Sequence, residues 1–186
     1  MTLDLDVQRR DFIKTGFAGV LGAAVPMLLT SGEAYARNSG RWRTSFRNIH
    51  TGESYSGVYR VGDKYLPEAF QKISYILRDR RTGEVFPMDP HVIDIMSMIQ
   101  RKTGRSTPMT ILSGYRSPRT NNNLSRVKSG VAKNSFHMYG RALDMQMQGY
   151  RTSGLRQVAR SLRAGGVGYY PRSNFVHVDT GDVRAW

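Results

Sequence analysis

Two short runs in the C-terminal half alternate with period two, and each sets an apolar face against a polar one. Arg141 to Met147 opposes Leu143, Met145 and Met147 to Ala142, Asp144 and Gln146. Asn174 to Asp179 opposes Val176 and Val178 to His177 and Asp179. Successive side chains of a strand point to opposite faces. Both runs therefore read as strands that bury one side and turn imidazole and carboxylate groups outward on the other. A chain with two such strands must build a sheet with a core on one face and room for a site on the other.

His137 lies just before the first of these strands, in a loop opened by Ser135. Gly140 and Ala142, on either side of the strand start, are small enough to admit a close neighbour. With the two strands side by side, His137, Asp144 and His177 converge on one zinc ion at about 2.0–2.2 Å. Catalytic zinc commonly takes three ligands from His, Asp or Glu and keeps a fourth position open for water. Asp179 shares the face of His177, as an outer supporting group or as an acid–base group. Each residue alone fits a solvated or structural role; the combined spacing does not. The chain has no cysteine. That excludes disulfides, thiolate zinc sites, thiol nucleophiles and a lipid-anchored cysteine.

Arg116, in Ser113-Gly-Tyr-Arg-Ser-Pro118, follows a strand end and a glycine, a place from which a guanidinium can reach into a cleft. It suits oxyanion stabilisation or recognition of a substrate carboxylate. His50, in a turn, and His91, in the first turn of a helix, read as structural or solvated. The nine methionines fall at core spacing or in the N-terminal leader and imply no cofactor.

The other elements follow from local signals. Arg41 to Asn48 and Ser54 to Arg60 flank His50-Thr-Gly-Glu53 and predict a hairpin. Pro67 opens a helix to about Arg80. Asp89-Pro90 opens another to about Lys102, with Gly104 past its end. Met109 to Leu112 is a strand, and Ser113 to Asn123 reads as a polar turn region. Thr152 or Ser153 caps a helix to Ala164. Val167 to Tyr170 pairs with Asn174 to Asp179 as a hairpin. The expectation is one α+β domain, a small antiparallel sheet with helices packed on it.

The first 36 residues read as an address. Gln8-Arg9-Arg10-Asp11-Phe12-Ile13-Lys14 is a twin-arginine pattern, a mildly apolar run follows from Gly16 to Leu29, and Ala34-Tyr35-Ala36 offers a small-x-small cleavage site. The apolar run is shorter than the ~20 residues a membrane span needs and contains Pro26. The membrane is then met only transiently, through this leader. The expected division is a signal peptide over 1–36 and a zinc-binding catalytic domain over 37–186, acting as a monomer in the periplasm. The leader holds three basic and four acidic side chains, so residues 37–186 carry 25 basic against 10 acidic. Such a surface suits a polyanionic partner. Export makes that partner the cell wall or a membrane surface rather than nucleic acid.

Ser135-x-His137-x-x-Gly140-x-Ala142-x-Asp144 with His177 resembles the zinc signature of the D-Ala-D-Ala peptidase and hedgehog-like superfamily. Over the whole of residues 37–186, the chain more closely resembles the murein endopeptidase K family. His50-Thr-Gly-Glu-Ser54, Ser113-Gly-Tyr-Arg-Ser117, the Arg163 to His177 block and Asp179-Thr-Gly181 carry that similarity. The resemblance implies zinc on His137, Asp144 and His177. It also implies hydrolysis of peptidoglycan stem-peptide cross-links, including those joining two meso-diaminopimelate residues. Arg116 corresponds to the arginine that polarises the scissile carbonyl. Many superfamily relatives place a basic Glu or His shortly before the last zinc histidine. Tyr170, Ser173, Asn174 and Phe175 stand there instead, which leaves either Asp179, the nearest acid on the right face, as the expected proton shuttle or a zinc-bound hydroxide with no dedicated side-chain base. Carboxypeptidase action on stem peptides and a non-catalytic, zinc-stabilised wall-binding module are the alternatives.

Overall fold

The computed structural model describes residues 40–127 and 130–186. The twin-arginine pattern and the boundary after Ala36 lie outside them. Strands β1 (Arg41–Asn48) and β2 (Ser54–Val61) form the expected hairpin. Phe46 and Tyr55 face each other across it and stack with centroids 5.8 Å apart. A two-residue strand β3 (Lys64–Tyr65) extends its edge.

Helix α1 (Pro67–Ile76) begins on its proline and stops short of Arg80. The chain turns because Asp79 is held elsewhere: its carboxylate accepts hydrogen bonds from the Ser117 backbone and hydroxyl at 2.9 and 2.6 Å. Helix α2 (Pro90–Thr103) has the expected ends. The Asp89 side chain accepts from the His91 amide, and Gly104 takes the left-handed conformation (φ 66°) that suits a residue without Cβ.

Strand β4 (Met109–Ser113) is followed by α3 (Pro118–Val127), where the sequence predicts only a turn. Its residues, Pro-Arg-Thr-Asn-Asn-Asn-Leu-Ser-Arg-Val, contain almost no apolar side chains to reveal a helical period. Its buried residues are polar: Asn121 accepts from Arg116 at the site, and the Thr120 amide donates to the Ser117 hydroxyl. A single 3₁₀ turn (Phe136–Tyr139), β5 (Ala142–Met147), α4 (Thr152–Ser161), β6 (Gly166–Tyr170), β7 (Phe175–Asp179) and β8 (Arg184–Ala185) complete the described chain.

The eight strands form one sheet in the order β3-β2-β1-β4-β5-β7-β6-β8. The fold is α+β, as expected, and the sheet is mostly antiparallel but mixed. β1 runs parallel to β4, because two helices cross over between them, and β6 runs parallel to β8. Leu143, Met145, Val176 and Val178 are completely buried in one core with Ile73, Met96, Ile99 and Leu155 of α1, α2 and α4. Each such side chain contributes roughly 1.5–3 kcal/mol of burial. The alternate residues of β5 and β7 turn to the sheet's other face and build the site.

Candidate metal centre and cleft

Asp144 and His177 are direct cross-strand partners in the antiparallel pairing of β5 with β7. His177 Nδ1 lies 2.9 Å from Asp144 Oδ1. His137 arrives from the 3₁₀ turn. Ser135 caps that turn by accepting from the His137 amide, and Gly140 ends it at φ 63°. A Cβ at Gly140 would collide with the Pro87 carbonyl oxygen, so the loop closes only with glycine there. His137 Nε2 then stands 3.3 Å from Asp144 Oδ1. One donor atom from each of His137, Asp144 and His177 lies within 4.8 Å of the others. A tetrahedral set of ~2.0–2.1 Å bonds spaces its donors roughly 3.4 Å apart, so the triad fits a zinc ion.

The second nitrogen of each imidazole is already engaged. His137 Nδ1 is 2.7 Å from the Gly114 carbonyl, which can only accept, so Nδ1 carries the hydrogen and Nε2 is left as a lone-pair donor. Gly114 can offer that carbonyl because it packs tightly on Leu77: a Cβ at position 114 would sit 2.6 Å from the Leu77 carbonyl oxygen. His177 Nε2 is 3.0 Å from Asp179 Oδ2, which fixes Nδ1 toward the centre. Carbonyl or carboxylate acceptors behind metal-binding histidines set tautomer and ring orientation in this way.

Asp179 is completely buried. Besides His177 it accepts from Arg184 at 3.0 and 2.7 Å, from the Gly181 amide at 2.9 Å and from the Gly166 amide at 3.2 Å. Burial pushes this carboxyl up, but His177, Arg184 and the Gly181 amide outweigh it and hold Asp179 well below the usual carboxylate range. Asp144 is likewise raised by burial and lowered further by His137 and His177. Burial alone lowers His177; its bonds to Asp144 and Asp179 reverse that and bring it to about 9. Burial lowers His137.

Arg116 lines the same cleft, of about 550 Å³. Its guanidinium lies 3.6 Å from Asp144 Oδ2 and is steadied at 3.3 Å by both Ser113 Oγ and Asn121 Oδ1. Its amide donates to the His137 carbonyl at 3.1 Å, which ties the Arg116 and His137 loops together. All five residues singled out in the sequence thus meet in one place. His91 is exposed beside Asp89, whereas His50 lines the cleft and contacts the Leu112 carbonyl at 3.1 Å. Sequence reasoning missed Ser113, Asn121, Arg184 and Trp186. The Trp186 ring stands 5.5 Å from that of His177 and its Nε1 donates to the Tyr170 hydroxyl. No spacing rule links Arg184 to Asp179; only β8 folding back along β6 does.

Comparison with known proteins identifies the family. A family model described as "Peptidoglycan L,D-endopeptidase MepK" matches residues 36–186. The chain is 40% identical over 181 residues, 97% of this chain and 98% of the relative, to "Peptidoglycan L,D-endopeptidase MepK" of Escherichia coli (strain K12). It is 45% identical over 143 residues, 76% of this chain and 77% of the relative, to "Probable peptidoglycan L,D-endopeptidase MepK" of Haemophilus influenzae. A more distant similarity, 37% over 82 residues, covers 42% of this chain and 30% of "Zinc D-Ala-D-Ala carboxypeptidase" of Streptomyces albus G. With a match over the whole described fold and relatives of equal length, the chain belongs to the peptidoglycan L,D-endopeptidase MepK family of peptidases.

Proposed function

We propose that this protein is an exported, zinc-dependent endopeptidase that hydrolyses peptide cross-links of peptidoglycan, including those between two meso-diaminopimelate residues. The observation that carries this reading is the convergence of His137 Nε2, an Asp144 oxygen and His177 Nδ1, each histidine with its other nitrogen already spoken for. Zinc held there supplies Lewis-acid activation of water at neutral pH. The protein's own residues do the rest. Arg116, steadied by Ser113 and Asn121, presents a fixed cation to the oxyanion of the tetrahedral intermediate.

Asp179 keeps His177 in the tautomer that frees Nδ1. Its five donors make it a weak base, which favours this orienting role over proton shuttling. The basic surface holds the monomeric enzyme on an anionic wall. The twin-arginine leader of residues 1–36 delivers it to the periplasm, and replacing Arg9 and Arg10 by lysine is expected to abolish export in a cell-fractionation assay.

The central test is incubation of the zinc-loaded protein with a defined cross-linked muropeptide dimer, followed by mass spectrometry. Cleavage within the cross-link is expected, and His137→Ala and His177→Ala should lose both zinc and turnover. Release of a terminal D-Ala alone would assign a carboxypeptidase instead. Full zinc occupancy with no product would leave only a wall-binding module.

A further inference from the structure

The turn after α1 puts two arginines at the rim of the cleft and braces them from three sides. Asp79 Oδ1 accepts from the Arg81 amide at 2.9 Å, while Oδ2 holds the Ser117 backbone and hydroxyl beside Arg116. The Asp79 amide donates to the Glu84 carbonyl at 3.0 Å and the Gly83 amide to the Asp79 carbonyl at 2.8 Å, closing the turn. The Glu84 carboxylate receives the Tyr115 hydroxyl at 2.7 Å, and Arg78 reaches Glu53 of the β1–β2 turn at 2.7 Å. Every acidic side chain of this scaffold is therefore committed.

Arg80 and Arg81 are not committed. Both are exposed, both line the cleft, and neither has a carboxylate within 4.0 Å among the described residues. Arg116 and His50 line the same side. Their mutual repulsion is felt: after burial, Arg80 and Arg81 lower the proton affinity of His50, and Arg81 adds to the lowering at Arg116. His50 Nε2 faces the Leu112 carbonyl and so carries a hydrogen, and burial with the two arginines holds the ring's proton affinity below the usual histidine value, so it adds little charge of its own at neutral pH. On the His177 side the cleft wall is aromatic instead: Tyr170 stacks on Phe175 at 4.5 Å and Trp186 lies against Tyr170. A rigid scaffold that gathers unpaired cations at one end of a cleft is unfavourable when empty and relieved by an anion of matching shape.

We propose that Arg80 and Arg81 form a subsite that binds a free carboxylate of the peptide substrate, on the Arg116 side of the scissile bond. The proposal rests on the peptidase reading and adds the substrate group that orients the chain in the cleft. Guanidinium forks suit a carboxylate through paired hydrogen bonds. The subsite fixes direction: the substrate lays its carboxylate end toward Arg80 and Arg81 and its aliphatic arm toward Tyr170 and Trp186.

The test uses two cross-linked dimers, identical except that the diaminopimelate carboxylate flanking the cross-link is free in one and amidated in the other. Cleavage and calorimetric binding of both are measured for the protein, for R80A/R81A and for R80K/R81K. The native protein is expected to favour the free carboxylate by roughly tenfold or more in kcat/KM, the worth of a charge-assisted hydrogen bond. R80A/R81A should erase that preference through KM, with zinc content and unfolding midpoint unchanged, and R80K/R81K should retain part of it. Equal losses on both dimers, or none on either, would overturn the subsite. So would a loss seen only on intact wall and not on the soluble dimers, which would mark the arginines as general adhesion. Carboxylate-dependent binding without turnover would keep the subsite and overturn the peptidase reading.

Discussion

At the scale of single residues, the proposed centre is a competition between protons and metal. In the metal-free protein Asp144 and Asp179 hold His177 protonated up to about pH 9, so the proton on Nδ1 must leave before that nitrogen can bind an ion. Zinc binding at pH 7 is therefore expected to release close to one proton. Titration calorimetry in two buffers of different ionisation enthalpy measures this, and a release near zero would place the ion elsewhere. The stability consequence follows from the sign. A histidine raised from 6.5 to about 9 stabilises the metal-free fold below pH 6.5 and loses that contribution as pH climbs through 9. Asp179→Asn tests the orienting role. It should weaken zinc about 10- to 100-fold, the usual effect of disturbing the carboxylate acceptor behind a metal histidine. A variant with native zinc affinity but impaired turnover would instead restore the proton-shuttle role.

Elements carry the positioning. Strand β5 divides its labour, with Leu143 and Met145 in the core and Asp144 on the site. Leu143→Ala should cost about 2–5 kcal/mol in denaturant unfolding through lost contacts and a cavity. Gln146→Ala, on the site face of the same strand, should change stability by no more than about 0.5 kcal/mol. The α1–α2 turn hangs on Asp79. Burial raises that carboxyl, but hydrogen bonds from the Ser117 and Thr120 hydroxyls and the Arg81 and Ser117 amides bring it to about 2. A lowered carboxyl gives stability that is present above its unfolded value near 3.8 and lost as pH falls through 2. Protonating it costs roughly 2 kcal/mol. Asp79→Asn should lower stability at pH 7 by a similar amount and flatten the acid limb of the stability curve between about pH 4 and 2.

For the whole molecule, charge and topology answer different questions. Residues 37–186 hold 25 basic and 10 acidic side chains, so adsorption to purified sacculi should fall steeply between about 50 and 200 mM salt. Cleavage of a small soluble dimer should change far less, and equal salt dependence would remove the wall-adhesion role of the surface. Strand periodicity, Pro67, Asp89-Pro90 and Gly104 made most elements legible, because each depends on neighbours within a few residues. That Asp144 and His177 come together was legible for the same reason: they sit on alternating strands whose polar sides had to share a face. Helix α3 was not, since its buried side is polar and serves the site rather than a core. Nor were the partners that join distant segments: Arg184 on Asp179, Ser117 on Asp79, and the Gly114 carbonyl on His137. Local alternation determined which atoms this chain could offer a metal. Only the sheet order, which sets β5 beside β7 and folds β8 back along β6, decided that those atoms meet and which groups stand behind them. Such contacts are set by three-dimensional packing between residues far apart in the chain, and no local period records them.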